Sequence, residues 1–319
     1  EMRAVFELLP MRRDHEQPQE TQRFEDAVSE IQRIQRCVLL GEPGGGKTTT
    51  IWKLAADLVD KALADRTAPI PLLVRLGKWT DAGQSLQDFI GSQLGDLGAY
   101  VDVLLREQRA ALLLDGLNEL PASQHKAKYP QVQRFIQEDP DLLAVVSCRE
   151  LDYTIDLGFD KVSITPLDPL RIREFAVRYL GEEQGDDLFW KLAGTETAQW
   201  HERFYENVAD KLDEPEDVFW LAQTLPSGVR WGYSFDKDDN SHWERWLKIR
   251  ERPANLMVLA RNPYMLLMLT SVYADEGELP ANRGGLFAKF VETLLEREGV
   301  PEAEQDPLIA GLSKVAYEM

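Results

Sequence analysis

One short stretch restricts the fold of this 319-residue chain more than any other. Four consecutive apolar residues, beginning at Cys37, precede a turn that holds four glycines in six positions. Lys47 and three threonines follow, and they open an amphipathic segment from Ile51 to Leu63. This order predicts a buried strand, a glycine-rich loop and a helix over Thr48–Leu63.

The turn has the full spacing of a phosphate-binding loop, Gly41-x-x-x-x-Gly46-Lys47-Thr48. Glycine permits positive φ and lets backbone N–H groups approach phosphate oxygens. We expect Lys47 to reach the β- and γ-phosphates of a nucleotide, and the Thr48 hydroxyl to bind Mg²⁺. The alternative is an ordinary strand-to-helix turn, which needs neither this lysine nor this hydroxyl. The predicted nucleotide ligands of the loop are Gly41, Pro43, Gly44, Gly45, Gly46, Lys47 and Thr48.

The composition excludes several kinds of protein. A net charge of −19 argues against a general nucleic-acid surface, because binding to phosphates needs clustered Lys and Arg. The two cysteines, Cys37 and Cys148, lie in apolar runs and are typical of a reducing compartment, so we expect a cytoplasmic protein. The four histidines lack metal-ligand spacing, which argues against a zinc site.

No membrane span or leader is predicted. The longest apolar region, Leu256 to Tyr273, is interrupted by Arg261-Asn262-Pro263. The chain begins at Glu1 without a methionine or a secretory pattern, and we expect it to be a segment of a longer protein.

Apolar runs alternate with amphipathic segments through the first half of the chain. This alternation predicts an α/β fold with a parallel sheet covered on both faces. Before the loop, apolar residues at three- and four-residue steps predict a helix over Thr21–Gln35. The predicted strands after the loop are Ile70–Leu76, Ala110–Leu114, Leu142–Cys148 and Lys161–Ile164, and the predicted helical faces lie near Leu86–Leu94 and Val101–Arg109.

Acidic residues follow the predicted strand at Ala110–Leu114. Asp115 stands at its carboxyl end, the edge where such folds bind ligands, and we assign it to the Mg²⁺ shell. Glu119 is the candidate for polarising the attacking water. In a chain with 55 acidic residues, a solvated acidic turn is the alternative.

Arg149 ends the predicted strand Leu142–Cys148, with Ser147 as a polar neighbour. An arginine at that edge is suited to sense the γ-phosphate. Its alternative role is an ion pair with Glu150 or Asp152. Lys47, Asp115, Glu119 and Arg149 are thus the catalytic candidates.

The order of these motifs resembles a NACHT domain of the STAND class of signal-transduction P-loop NTPases. The resemblance is carried by Gly41-Glu42-Pro43-Gly44-Gly45-Gly46-Lys47-Thr48-Thr49, Leu112-Leu113-Leu114-Asp115-Gly116-Leu117-Asn118-Glu119-Leu120, Ser147-Cys148-Arg149, Ile164-Thr165-Pro166-Leu167 and Asn262-Pro263-Tyr264-Met265-Leu266. It implies that Thr49 also contacts phosphate or Mg²⁺ and that Pro263 packs against the nucleotide base. The sequence departs from the family at Asn118, where a second aspartate is usual, and this bears on the hydrolysis rate.

The resemblance also implies a domain order. An N-terminal flanking segment, 1–36, precedes a nucleotide-binding domain, 37–165, an all-α helical domain, 166–278, and the incomplete start of a winged-helix domain, 279–319. In the last part, amphipathic helices are predicted at Gly285–Leu295 and Asp306–Met319. Six of the eight tryptophans fall in an apparent insertion at 186–252, which we interpret as a small core and alternatively as a partner surface.

The sequence therefore predicts an ATP/ADP- and Mg²⁺-binding switch that hydrolyses ATP slowly. The resemblance implies self-association on activation, attached effector and sensor domains outside this segment, and a role in immune or anti-phage defence. Two alternatives stay open, a conventional fast NTPase and an oligomerisation scaffold with structural nucleotide. GTP also stays open, because no guanine-specific Asn-Lys-x-Asp element is evident.

Overall fold

The computed structural model describes residues 6–9, 22–24, 26–232, 240–280, 283–297, 301, 307–311 and 314. It divides into two compact units, Glu1–Pro166 and Leu167–Met319. The finer domain limits given above, including the insertion and the winged-helix start, stay predictions.

A seven-stranded sheet is the centre of the first unit. The strands are β1 (Phe6–Leu9), β2 (Gln22–Phe24), β3 (Arg36–Gly41), β4 (Ile70–Arg75), β5 (Ala110–Asp115), β6 (Leu143–Arg149) and β7 (Asp160–Ile164). Their order is β2-β1-β7-β3-β6-β5-β4, and the five strands from β7 to β4 are parallel. The predicted parallel sheet is therefore confirmed, with β1 and β2 added antiparallel at one edge.

Helices cover both faces of this sheet, which explains why its central strands are continuously apolar. The helices are α1 (Ala27–Ile34), α2 (Lys47–Ala64), α3 (Leu86–Gln93), α4 (Val101–Arg106) and α5 (His125–Glu138). Alternate residues of β3 serve opposite faces: Leu39 belongs to the core under α1 and α2, whereas Leu40 belongs to the core under α3, α4 and α5. Because buried apolar side chains fill both faces of the sheet, the loops at the strand ends are supported by a packed interior.

The helix predicted over Thr21–Gln35 is wrong at its N-terminal end. Residues Gln22–Phe24 form strand β2, in which Phe24 pairs with Phe6 of β1. The helix α1 begins only at Ala27 because Asp26 caps it, its side chain accepting from the Val28 N–H at 3.0 Å. The helical spacing of apolar residues includes Phe24, but the segment Gln22–Phe24 pairs with β1 and is an edge strand.

The second unit is helical, as predicted for the C-terminal part. Its helices are α6 (Pro169–Leu180), α7 (Glu182–Ala193), α8 (Thr195–Asn207), α9 (Pro215–Leu221), α10 (Ser241–Arg250), α11 (Asn255–Ala260), α12 (Pro263–Glu276) and α13 (Arg283–Arg297). The α13 helix confirms the prediction for Gly285–Leu295. The helix predicted over Asp306–Met319 lies largely outside the described residues. The residues described in that range, 307–311 and 314, are helical. No helix in the described part of the chain is long and apolar enough to cross a bilayer.

The tryptophans predicted as a core do form one. Five of them are buried, namely Trp200, Trp220, Trp231, Trp243 and Trp246. Trp246 stacks on Phe219 with ring centroids 4.0 Å apart, and its indole N–H donates to the Phe219 carbonyl at 2.9 Å. A buried indole whose N–H is satisfied stabilises a helical core without a polar penalty.

A charged network lies within the same core. The Glu216 carboxylate contacts the His201 ring at 3.1 Å, the Arg173 guanidinium at 3.3 Å and the Trp220 indole N–H at 2.8 Å. Burial acts to raise the pKa of Glu216, but hydrogen bonds from His201 and Tyr205 and the charge of Arg173 outweigh it, so the pKa is lowered. The ionised carboxylate therefore contributes to the stability of this unit.

The helix α12 begins as predicted. The Asn262 side chain caps it by accepting from the backbone N–H groups of Tyr264 at 3.0 Å and Met265 at 3.3 Å. Pro263 occupies the first helical position, where its lack of an N–H costs nothing. Its contact with a nucleotide base stays a prediction.

Candidate nucleotide-binding site

Three strand ends bring the predicted site residues of the first unit to one edge of the sheet. In the parallel register Gly41 of β3 lies opposite Arg149 of β6. The next strand is β5, which ends at Asp115. Because the carboxyl ends of parallel strands share an edge, the loop, the acid and the arginine converge there.

The phosphate loop has the geometry that its glycines predict. Gly46, which precedes α2, has φ of 96°, a conformation that side chains disfavour. A Cβ on Gly45 would lie 3.0 Å from the Glu42 carbonyl oxygen, which accepts from the Gly45 N–H. The tight turn therefore needs a bare backbone. It leads directly into the amino end of α2, where free N–H groups and the helix dipole favour an anion.

Lys47 points back onto the loop. Its ammonium donates to the carbonyl oxygens of Gly41 and Glu42, each at 2.9 Å. Burial lowers the pKa of Lys47, and the nearby charge of Arg149 lowers it further against the opposing effect of Asp115. An anion near both cations would offset the burial of Lys47 and the repulsion between Lys47 and Arg149.

A chain of hydrogen bonds connects α2, β5 and β6 below the loop. The Thr48 hydroxyl donates to one oxygen of Asp115 at 3.0 Å, and the Ser147 hydroxyl donates to the other at 2.6 Å. Ser147 also accepts from the Gly116 N–H at 2.8 Å, so its hydroxyl both donates and accepts a hydrogen bond. The Asp115 carboxylate is thereby fixed in orientation beside the hydroxyl of Thr48.

These oxygens fit Mg²⁺. A hard dication prefers carboxylate and hydroxyl oxygens together with phosphates and water. The two predicted ligands, Thr48 and Asp115, lie within hydrogen-bond distance of each other, with Ser147 behind as an orienting partner.

Glu119 and Asn118 lie on a 3₁₀ turn, Leu117–Glu119, after β5. Glu119 is exposed, and its carboxylate rests against the backbones of Gly77 and Gly116. The Asn118 side-chain oxygen accepts from the Arg149 backbone N–H at 3.1 Å. An amide can accept this bond as an aspartate would, which keeps the turn attached to the end of β6.

Arg149 itself is about half exposed. Its guanidinium lies 4.0 Å from the Asp152 carboxylate, the outer limit of an ion pair. Such an exposed contact contributes little, so the side chain is available for another anion. Its sensor role stays a prediction beside this ion pair.

Most predicted site residues of the first unit therefore surround one edge. Thr49 is exposed in the first turn of α2, and Pro263 belongs to the second unit, described separately. The sequence named Ser147 only as a neighbour. The feature that could have identified Ser147 is that it is a polar residue in an otherwise apolar buried strand. Nothing in the sequence pointed to Gly77.

One protein family matches the part of the chain that holds this site. The family model of the NACHT domain matches residues 35–182, just under half of the chain. The search among curated proteins found no match. Among solved structures, C. elegans PCH-2 has 17% sequence identity and a TM-score of 0.39, with 84% of this chain and 63% of that chain covered. This chain thus spans less than two thirds of the PCH-2 chain. Residues 35–182, which hold the phosphate loop, Asp115 and Arg149, form a NACHT domain, a nucleotide-binding P-loop NTPase domain.

Proposed function

We propose that this chain is the ATP-driven switch of a STAND-type signalling protein. It binds ATP with Mg²⁺, hydrolyses it slowly, and thereby controls self-association and the activity of effector domains outside this segment, in immune or anti-phage defence. The observation that carries the proposal is the hydrogen-bonded chain from Thr48 through Asp115 to Ser147 directly below a complete phosphate loop. The two buried free cysteines support a cytoplasmic location.

Binding begins at the loop. The N–H groups of the loop and of the first turn of α2 surround the β-phosphate and donate to its oxygens. Lys47 exchanges its two carbonyl acceptors for phosphate oxygens, and charge-assisted hydrogen bonds of about 1.5–3 kcal/mol each replace neutral ones. The polyphosphate thus restores a fully favourable environment for the ammonium.

Thr48 and Asp115 would hold Mg²⁺, and Ser147 keeps the carboxylate in position. When bound, the cation neutralises charge on the β- and γ-phosphates. Both oxygens of Asp115 already have hydrogen-bond partners, which hold the side chain in one orientation before a cation would bind.

Glu119 orients the attacking water and accepts its proton, and Arg149 contacts the γ-phosphate and loses that contact after hydrolysis. Asn118 supplies no second negative charge beside Glu119. A neutral amide cannot act as a second base or hold a cation as a carboxylate would, which supports slow turnover. The switch then follows from a difference in affinity between the two nucleotide states.

A second candidate is an oligomerisation scaffold that retains nucleotide as a structural cofactor. The neutral Asn118 is the observation that favours it. A fast NTPase is the remaining alternative, and it would turn over steadily without any activating partner. GTP is an alternative to ATP as the bound nucleotide, and the experiment below distinguishes the two.

The test is to denature the purified chain and identify released nucleotide by chromatography, with Lys47→Ala as the control. We expect adenine nucleotide from the unaltered chain, none from the variant, and slow Mg²⁺-dependent release of phosphate from added ATP. Retained ADP without any hydrolysis would favour the scaffold. Neither bound nucleotide nor binding of added ATP or GTP would refute the proposal.

A further inference from the structure

The carboxylate of Glu119 lies in a slot between two glycines. A Cβ built on Gly77 would stand 2.8 Å from a carboxylate oxygen of Glu119 and 3.0 Å from its Cβ. A Cβ built on Gly116 would stand 2.7 Å from the carboxyl carbon. The 2.8 Å distance at Gly77 and the 2.7 Å distance at Gly116 are shorter than a real Cβ shows, so each glycine leaves space that Glu119 occupies.

The two glycines have different reasons to be glycine. Gly116 has φ of 84°, so the turn that starts the Leu117–Glu119 segment needs it for its backbone alone. Gly77 is not among the positive-φ glycines and lies in an ordinary 3₁₀ turn, Leu76–Lys78, after β4. The three atoms nearest to a Cβ built on Gly77 all belong to Glu119, so Glu119 is what a side chain at this position would displace.

From this contact we propose that Gly77 is a positioning residue for Glu119 and holds its carboxylate where it orients water. The inference rests on the proposed function, in which Glu119 performs that task. It assigns to the end of β4 a part in hydrolysis that neither the phosphate loop nor the acidic turn supplies.

The backbone at Gly77 has little freedom to move away. Its neighbour Leu76 and the following Trp79 are fully buried, and the Trp79 N–H donates to the Leu76 carbonyl at 2.9 Å. Trp79 stacks on Phe89 at 5.6 Å and lies under the Lys128 ammonium at 4.4 Å. A packed interior resists displacement, whereas Glu119 is exposed. An added methyl group on residue 77 therefore moves the carboxylate and leaves β4 in place.

The experiment compares Gly77→Ala with Gly83→Ala in this chain. Gly83 follows the same strand, lacks positive φ, and has only an ordinary 3.5 Å contact with Asp81. For Gly77→Ala we expect the hydrolysis rate at saturating ATP to fall about 10- to 100-fold, the range for a misplaced general base. Affinity for ADP and the melting temperature should match those of the unaltered chain, and Gly83→Ala should change neither rate nor affinity.

A double-mutant cycle separates positioning from a general structural effect. In the Glu119→Gln background, which keeps the shape of the side chain and removes its basicity, Gly77→Ala should cause no further loss. A further 10-fold loss there, or full activity of Gly77→Ala beside an inactive Glu119→Gln, would overturn the role of Gly77 alone. Failure of the unaltered chain to bind nucleotide would instead overturn the proposed function.

Discussion

Replacing Ser147 by alanine tests the arrangement below the phosphate loop most directly. The Ser147 hydroxyl is buried, donates to Asp115 at 2.6 Å and accepts from the Gly116 N–H at 2.8 Å. The substitution removes one hydrogen bond to a charged group, about 1.5–3 kcal/mol, and leaves a buried N–H without its partner, about 1–3 kcal/mol. These costs overlap because the carboxylate can rotate, so we expect a total loss of about 2–4 kcal/mol in the free energy of unfolding.

Two measurements follow from this loss. Thermal unfolding should shift down by about 4–16 °C, given about 2–4 °C per kcal/mol for a domain of this size. The affinity for ATP with Mg²⁺ should fall about 10- to 100-fold, the usual effect of removing a partner of a metal ligand. Affinity for ADP in EDTA should hardly change, because Lys47 is held by the carbonyl oxygens of Gly41 and Glu42, which the substitution leaves in place.

The control is Ser92→Ala, which removes a neutral hydrogen bond to the Phe89 carbonyl at 2.7 Å, away from the site. It should cost about 1 kcal/mol and leave nucleotide affinity unchanged. If Ser147→Ala retains both its melting temperature and its Mg²⁺-dependent affinity, Asp115 is not held by Ser147 and the inferred Mg²⁺ site is wrong.

Three further substitutions test other parts of the molecule. Asn118→Ala should lower the hydrolysis rate about 10-fold in a phosphate-release assay, because the end of β6 at Arg149 loses its acceptor, whereas Asn118→Asp keeps the acceptor and should retain or raise the rate. The pKa of Glu216 is lowered, so its carboxylate stabilises the folded chain at pH values above the ordinary pKa of 4.5. This stabilisation is lost as the pH falls through the folded-state pKa. Glu216→Gln should therefore flatten the acid side of a curve of stability against pH, measured by urea unfolding. Trp246→Ala should cost about 3–5 kcal/mol in the same assay and Trp246→Phe much less, and equal costs would contradict the stacking on Phe219.

Local sequence signals predicted most of the first unit because several of them agreed. The apolar run at Cys37–Leu40, the glycines and Lys47 each required the same strand, loop and helix, and the structure has all three. Asp115 was found in the same way, since an acid directly after a buried strand has one place to lie in a parallel sheet.

Other features depend on partners that are distant in sequence. The apolar spacing around β2 predicts a helix, because this local pattern does not indicate that the segment pairs with β1. The close approach of Gly77 to Glu119 joins two turns that follow different strands, and neither turn alone indicates it. The double role of Ser147 likewise requires knowledge that β5 and β6 are neighbours.

The electrostatics of the site explain how a chain with a net charge of −19 is suited to hold a polyphosphate. Burial lowers the pKa of Lys47, and the nearby charge of Arg149 lowers it further. The charges of Asp115 and Glu119 act in the opposite direction, but the pKa of Lys47 stays lowered. A phosphate at the loop would therefore gain from both Lys47 and Arg149, despite the negative charge of the chain as a whole.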